Sequence, residues 1–442
     1  MSAPDISIYQ RPVELLQNLI RFDTTNPPGN EGECIAYIAS LLRGVGLEPE
    51  IVSKEPDRPN LICRMKGRGE APALMLYGHV DVVTAAGREW SHDPFSGDLA
   101  DGYVWGRGAV DMKGGVAMFL SAFMRMQVEG IKPAGDIVFV ALADEESFGV
   151  YGAEYLVENH QDALSDVKYA LGEFGGFSMS LAGKRFYPIQ VAEKQVCTLQ
   201  LMIRGEGGHG ASIVPGNAME ELGKVLDRVS TKRLPVHITP PVREMFTRIS
   251  ESLKFPLRQA VRLLLIPSLT DKVLDLLGAD GLLFAPLLHN SVNPTIARGG
   301  EKSNVVPSEV SLTLDGRLLP GFTPDDMIAE VGELLEGLDV EITVRLFEEG
   351  PPEADMGLFP FLSEMLTAFD PEGIPIPYLL MAVTDARHLA KIGIQSYGFT
   401  PMLLEQDISI FSSVHGVDER VPIAAVEFGA KVVFQTLQQY QG

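Results

Sequence analysis

The chain has 442 residues, more than one ordinary core holds and enough for two domains. Apolar residues make up 45% and charged residues 21%, the balance of a globular protein. A formal net charge of -23 argues against nucleic-acid binding, which needs clustered Lys and Arg, but leaves an anionic substrate open because a pocket sets its own local field.

In chain order, the spacing of apolar residues predicts helices over 13–21 (VELLQNLIR) and 33–43 (ECIAYIASLLR), the second closed by Gly44. Residues 73–77 (ALMLY) read as a buried strand followed by Gly78, 114–128 as a helix, and 137–143 (IVFVALA) as a second buried strand ending in an acidic turn. Strands alternating with helices give an α/β catalytic layer with a largely parallel central sheet flanked by helices, and chemistry collects at the carboxyl ends of such strands. The pattern changes near Glu193. Residues 196–204 (VCTLQLMIR) alternate, 217–229 read as a helix, 310–314 as a strand, 325–335 as a helix and 340–346 as a strand. That rhythm predicts a small inserted α+β domain, with extra Leu-rich helices over 240–289. After the GPP turn at 350–352 the α/β pattern resumes. The expected domains are a catalytic one in two parts, 1–193 and 351–442, and an inserted one over 194–350. Repeats and low-complexity segments are not evident.

Cys34, Cys63 and Cys197 form no CxxC spacing, which reads as a reduced, cytoplasmic chain with cysteines packed in cores. The first residues carry no apolar stretch with basic flanks, and no apolar run reaches membrane-spanning length, so neither leader nor membrane partner is expected.

Polar residues gather where the strands end. His79, in GHVD, has Asp81 two residues on, a pairing that suits a metal ligand and the acid that orients its ring. Asp111 sits in GRGAVDMKGG, a glycine-rich turn before a helix, without the spacing of a phosphate loop. Asp144, Glu145 and Glu146 follow the second buried strand, where adjacent acids repel unless a cation neutralises them. Glu173 and His415 come later. Two imidazoles and three carboxylates, His79, Asp111, Glu146, Glu173 and His415, suit zinc, with cobalt or manganese as substitutes. Five ligands with one shared carboxylate suit two ions about 3.5 Å apart, leaving Glu145 free as a base. Trp90 and Trp105 read as loop packing and Met112 as a space filler, and His92, His160, His237, His289 and His388 gain no role.

The ordered motifs GHVDVV, GRGAVDMKGG, ADEESFG, GGHGA, SNVVP, DGRLLPG, TDAR and SVHGVDERV, spread from about residue 13 to 433, resemble the aminoacylase, acetylornithine deacetylase and carboxypeptidase G family of cocatalytic zinc hydrolases (M20). The resemblance implies two zinc ions: His79 and Glu173 on the first, Glu146 and His415 on the second, and Asp111 bridging through a carboxylate that precedes a cis peptide. It implies that Asp81 orients His79 and that Glu145 is the general base. Glu173 is Glu where some members have Asp, a form commoner among aminoacylase-like and deacetylase members. It implies that the inserted α+β domain is a lid or dimerisation domain, where His209 resembles the histidine that reaches across a homodimer to the substrate carbonyl; alternatively His209 is a capped loop residue. Asn304 and Arg317 resemble the pair that holds the substrate, Arg317 through its carboxylate or, in the blander reading, through a salt bridge with Asp315 instead. Thr384 resembles the threonine at the active-site rim, although Ala382 and Val383 stand where many members have two glycines. Longer members acting on dipeptides or apolar N-acyl amino acids carry insertions comparable to 240–289. The implied activity is hydrolysis of an amide or peptide bond next to a free carboxylate. A dipeptidase, an N-acyl amino acid deacylase and a biosynthetic deacylase of the acetylornithine or succinyl-diaminopimelate type are all compatible. A metal-dependent binding protein or a nucleotide enzyme using the glycine turn stands further off.

Overall fold

The computed structural model describes residues 5–87, 89–351, 353–405 and 413–442, with the backbone alone of Asp280. Pro352, the last residue of the expected GPP turn, lies outside the described residues. The chain divides into two compact units: Met1–Val191 with Ala354–Tyr378 and Thr384–Gly442, and Ala192–Glu353 with Leu379–Val383. No helix among the described residues is long and apolar enough to cross a membrane.

The first unit is built on a mixed sheet with the strand order Glu50–Ser53, Pro59–Met65, Ile137–Leu142, Ala73–His79, Val167–Gly172, Gln395–Gly398, Lys184–Glu193 and Ile374–Leu380; Met179–Leu181 pairs beside Lys184–Glu193. Its four middle strands, from Ile137–Leu142 to Gln395–Gly398, run parallel, and antiparallel pairs flank them. Ile137–Leu142 and residues 73–77 carry unbroken apolar runs because both of their faces are covered. On one face Met75, Tyr77, Val138 and Val140 pack with Leu156 and Val157 of the helix Ala153–Asn159. On the other, Phe139 stacks on Phe123 of the helix Lys113–Val128, ring centroids 5.7 Å apart. That helix is buried nearly all round, because the helices Pro12–Ile20 and Ile423–Gln439 also pack on it. Cys34 and Cys63 lie in this core as free thiols.

Two expectations shift by a residue or two. The helix Gly32–Gly44 runs through Gly44, and the left-handed residue that turns the chain away is Gly46, at φ 83. The strand Ala73–His79 continues through Gly78, so His79 is its last residue rather than the first beyond it.

The second unit is an antiparallel sheet in the order Ser291–Gly299, Glu309–Leu318, Gln195–Arg204 and Val340–Glu348. Leu199, Leu201 and Ile203 point to one face, where Val225 and Val229 of Ala218–Thr231 and Met327 and Val331 of Pro324–Leu334 cover them. Asn217 caps the first of these helices and a Thr323–Asp326 capping box opens the second. Residues 240–289 form four helices, Pro240–Ser252, Leu257–Leu263, Pro267–Leu277 and Ala279–Leu288. The strand Ser291–Gly299 has no counterpart in the predicted elements: Pro294 interrupts its pattern, tolerated on an edge strand where the ladder is already irregular.

Phe139 sits under the middle of the first sheet at 1% exposure. Phe139→Ala should lower the stability of the first unit by about 3–5 kcal/mol, read as a shift of the denaturant midpoint at constant slope. A shift below about 1 kcal/mol would mean that the core closes over the lost ring.

Candidate metal centre

Three adjacent parallel strands end at one edge of the first unit, and each delivers acids or an imidazole there. His79 ends Ala73–His79, Glu173 follows Val167–Gly172 directly, and Glu145 and Glu146 stand on the single turn Glu145–Ser147 beyond Ile137–Leu142. Asp144 enters that turn in the left-handed region, φ 71. Asp111 arrives on the glycine-rich turn before Lys113–Val128, where Gly108 takes φ 84 and the Asp111–Met112 peptide is cis. His415 comes from the last part of the chain.

These side chains converge. His79 Nε2 lies 3.1 Å from Asp111 Oδ1 and 3.5 Å from Glu173 Oε2. His415 Nε2 lies 3.3 Å from the other oxygen of Asp111 and 3.1 Å from Glu146 Oε2. Ligand atoms of His79, Glu145 and Glu173, and of His79, Asp111 and Glu146, fall within 4.8 Å of one another, the compactness a metal ion needs. All but His415 are largely buried; its side chain is 51% exposed.

His79 Nδ1 is 2.9 Å from the main-chain oxygen of Asp81, which only accepts, so Nδ1 carries a proton and Nε2, the nitrogen facing the acids, is the one a metal would take. The Asp81 carboxylate is the more distant partner, at 3.5 Å. Its oxygens also accept the N–H groups of Glu145 and Glu146, both at 3.2 Å, and the side-chain amide of Asn26 at 2.8 Å. Asp81 therefore braces the acidic turn as much as the imidazole.

Burial dominates the electrostatics. It pushes Glu145 well above the usual carboxylate range, with Glu173 and Glu146 adding repulsion and His79 opposing. Burial also pushes Glu173 up to about 8, against its hydrogen bond with His79. Asp111 shows the opposite result: burial raises it, but the hydrogen bonds from His415 and His79 outweigh that and hold it well below the usual value. Bonds to Asp111 and Glu146 push His415 up to about 10. The acids thus compete for the positive charge of two imidazoles. Among the described residues, Glu146 Oε1 is buried without a hydrogen-bond partner. A nitrogen-and-oxygen donor set, short of positive charge and with a spare buried oxygen, fits divalent metal ions.

Several positioning residues escaped the sequence reading. Glu419, fully buried, accepts Arg107 Nη1 at 2.6 Å and the N–H groups of Val110 and Asp111 at 2.8 and 3.2 Å, and so holds the Asp111 turn. Arg58 pairs with Glu31 and Asp144 in the core, and Asn26 bridges Asp144 to Asp81. Asp385, beside the predicted Thr384, is pushed up to about 7 by burial against the pull of Arg387. Neither of its oxygens meets a hydrogen-bond donor among the described residues. The one signal for Glu419 and Asp385 was their place inside quoted motifs; Asn26, Glu31 and Arg58 had none.

Met112 fills space as expected, its methyl against Gly78 and Gly115. Trp90 and Trp105 bond loop carbonyls, Ala85 and Ala100. Thr384 accepts the N–H of Ala386 at 3.1 Å. In the second unit, His209 and Asn304 are neighbours, since His209 pairs with Val305 and Gly210 donates to the Asn304 carbonyl. His209 Nδ1 accepts the N–H of Ala211. Arg317 forks onto Asp315 at 2.8 and 3.1 Å, the pairing the blander reading describes.

The model of peptidase family M20/M25/M40 matches residues 75–439. Aminoacylase-1 of Sus scrofa is 27% identical over 443 residues, covering 96% of this chain and 94% of that protein. A probable carboxypeptidase S-like 2 of Dictyostelium discoideum is 27% identical over 384 residues, covering 82% and 71%. An M20 family metallo-carboxypeptidase from Sulfolobus solfataricus superposes with a TM-score of 0.68 at 17% identity, covering 97% of this chain and 99% of that one. The chain belongs to peptidase family M20/M25/M40 and is a hydrolase of peptide or amide bonds.

Glu419→Ala would leave the Arg107 guanidinium buried and unpaired, at a cost of about 3–5 kcal/mol. It should also free the Asp111 turn, so that metal content per chain falls after dialysis. Unchanged stability and metal content would show that the turn holds without Glu419.

Proposed function

We propose that this M20/M25/M40 chain is a two-metal hydrolase that cuts the amide or peptide bond of a dipeptide or N-acyl amino acid bearing a free carboxylate. One observation carries the reading: the two oxygens of Asp111 face different imidazoles, His79 and His415. A carboxylate presented in that way offers one charge to two centres. Each centre has an acid of its own, Glu173 on the His79 side and Glu146 on the His415 side. His79, Asp111 and Glu173 would hold one ion, and His415, Asp111 and Glu146 the other. The donor set suits zinc, with cobalt or manganese as substitutes. Ions bound there supply Lewis acidity, lowering the pKa of a water and polarising a carbonyl.

The chain's own groups do the rest. Glu145 takes the proton of the attacking water and delivers it to the leaving nitrogen. Asp81 fixes Glu145 through the main chain and His79 through its ring, so base and ligand keep a common frame. Arg317 is the candidate for the substrate carboxylate, through a bidentate fork. Since it already forks onto Asp315, a substrate would compete with that acid for its donors. Asn304 and Thr384 would complete substrate contacts. His209 would stabilise the oxyanion, in our reading at the site of the other subunit of a homodimer formed by the inserted domain. Three buried free thiols fit a reducing cytoplasm.

Glu145→Gln should keep its metal, measured by elemental analysis, and lose at least ~10²-fold in kcat. Near-normal turnover would remove Glu145 from the role of base. Arg317→Ala should cost free-acid substrates about 1.5–3 kcal/mol in kcat/KM while sparing the matching amides. An equal loss for acid and amide would mean that Arg317 only braces its strand through Asp315.

A further inference from the structure

We infer that the corner at residues 254–258 (KFPLR) of the inserted segment is a docking point for the surface of an anionic lipid bilayer. It leads from the helix Pro240–Ser252 into the helix Leu257–Leu263. Six consecutive residues, Lys254 to Gln259, are exposed there. Phe255 is 85% exposed, and Leu257, two residues on, is exposed as well. An aromatic ring left this far in water forgoes the stabilisation of burial, so a partner that takes it up gains. A run exposed along its whole length projects, and so offers a wedge rather than a groove. Its charge says what kind of partner fits. Residues 252–270 include Lys254, Arg258 and Arg262 and no acid, in a protein of net charge -23. Among the described residues none of these three cations enters an ion pair, whereas Arg248 in the preceding helix pairs with Glu244, and Arg233 takes Asp271 and Asp275, the next acids along the chain.

The corner is held in shape from within. Arg258 Nε donates to the Leu253 carbonyl at 2.8 Å and Nη2 to that of Glu251 at 3.2 Å, while the Arg258 N–H reaches the Lys254 carbonyl at 3.0 Å. Leu253 and Val261, both buried, anchor it on either side. Arg258 and Arg262 stand four residues apart on Leu257–Leu263 and so share a helix face. A bilayer surface answers each of these features at once. Aromatic and leucine side chains settle at headgroup depth, and cations pair with the acidic headgroups, two weak contributions that anchor only in combination. A second copy of the chain placed on this corner by a twofold axis would set the same cations against themselves. An anionic surface repels the rest of this acidic chain, but that repulsion fades over about 8 Å at physiological salt, so it turns the corner towards the bilayer rather than preventing contact. The expectation of no membrane partner rested on the lack of a spanning run, and docking of this kind needs no spanning helix.

Flotation tests the docking point. The full chain is mixed with vesicles of phosphatidylcholine alone, or of equal parts phosphatidylcholine and phosphatidylserine, and the fraction that rises with the lipid is measured at low and high salt. The wild type should float with the mixed vesicles, stay behind with phosphatidylcholine alone and be released by salt. Phe255→Ser, and Lys254→Glu combined with Arg262→Glu, should each cut the bound fraction at least ~10-fold, while Phe255→Trp should keep it. These positions are exposed, so melting temperatures should stay at the wild-type value; Arg258 is left intact because it ties the corner. Insertion has a readout of its own. The emission of Phe255→Trp should shift to the blue on mixed vesicles, against the unshifted background of Trp90 and Trp105 in the wild type. Should a variant melt early, that shift decides alone. Absence of wild-type flotation with the mixed vesicles, equal flotation of every variant, or equal binding to both kinds of vesicle would overturn the docking point. So would self-association in the absence of lipid that Phe255→Ser abolishes, seen by sedimentation, since a second copy would then cover the corner.

Discussion

One carboxylate organises the site. Asp111 can serve two imidazoles because its own main chain is held from behind. The buried Glu419 takes the N–H groups of Val110 and Asp111, and Arg107 neutralises Glu419 in turn. An ion pair buried this deeply contributes little net stability, since desolvation offsets most of the attraction. Its value is orientation. With Glu419 in place, both oxygens of Asp111 face outward, and the remaining acids need only reach the edge where three parallel strands end.

The same logic repeats one layer further out. Asp144 takes a left-handed conformation that costs free energy, and the contacts of Arg58, Asn26 and the Tyr151 N–H with its carboxylate offset that cost. Asn26 also reaches Asp81, so the turn carrying Glu145 and Glu146 and the strand end carrying His79 share one hydrogen-bonded frame. Polar groups buried at this density rigidify a site only when nearly all are satisfied. Among the described residues the exceptions in this frame include Arg107 Nε, Glu146 Oε1 and both oxygens of Asp385, and the three oxygens lie at or beside the cluster, where a bound cation would act.

What the sequence made legible follows from how each signal is written. Strands 73–77 and 137–143 stood out as unbroken apolar runs, and the cluster residues as acids and imidazoles in glycine-rich surroundings. Gln395–Gly398 (QSYG) did not, because a short buried strand with polar letters has no period to detect. Glu419, Arg107, Arg58 and Glu31 were invisible as buried residues, since charged side chains are assigned to the surface unless a partner is known. Those partners lie far along the chain, 312 positions for Arg107 and Glu419 and 86 for Arg58 and Asp144. Arg317 shows the converse limit. The partner of its fork, Asp315, stands two residues away, and a substrate carboxylate would compete for the same donors.

The place of Gln395–Gly398 has a consequence for how the protein comes into being. This late strand is not at the margin of the sheet but inside it, between Val167–Gly172 and Lys184–Glu193. His415 and Glu419 both come after it in the chain. A ribosome must therefore pass residue 419 before the sheet can close and Asp111 can be set. Contacts over such separations form late, after a large loss of chain entropy. A chain that has not reached His415 and Glu419 holds neither a complete donor set nor the brace behind Asp111. Loss of the segment that carries His415 and Glu419 would abolish the centre at one stroke, although most of its donors come far earlier, between His79 and Glu173.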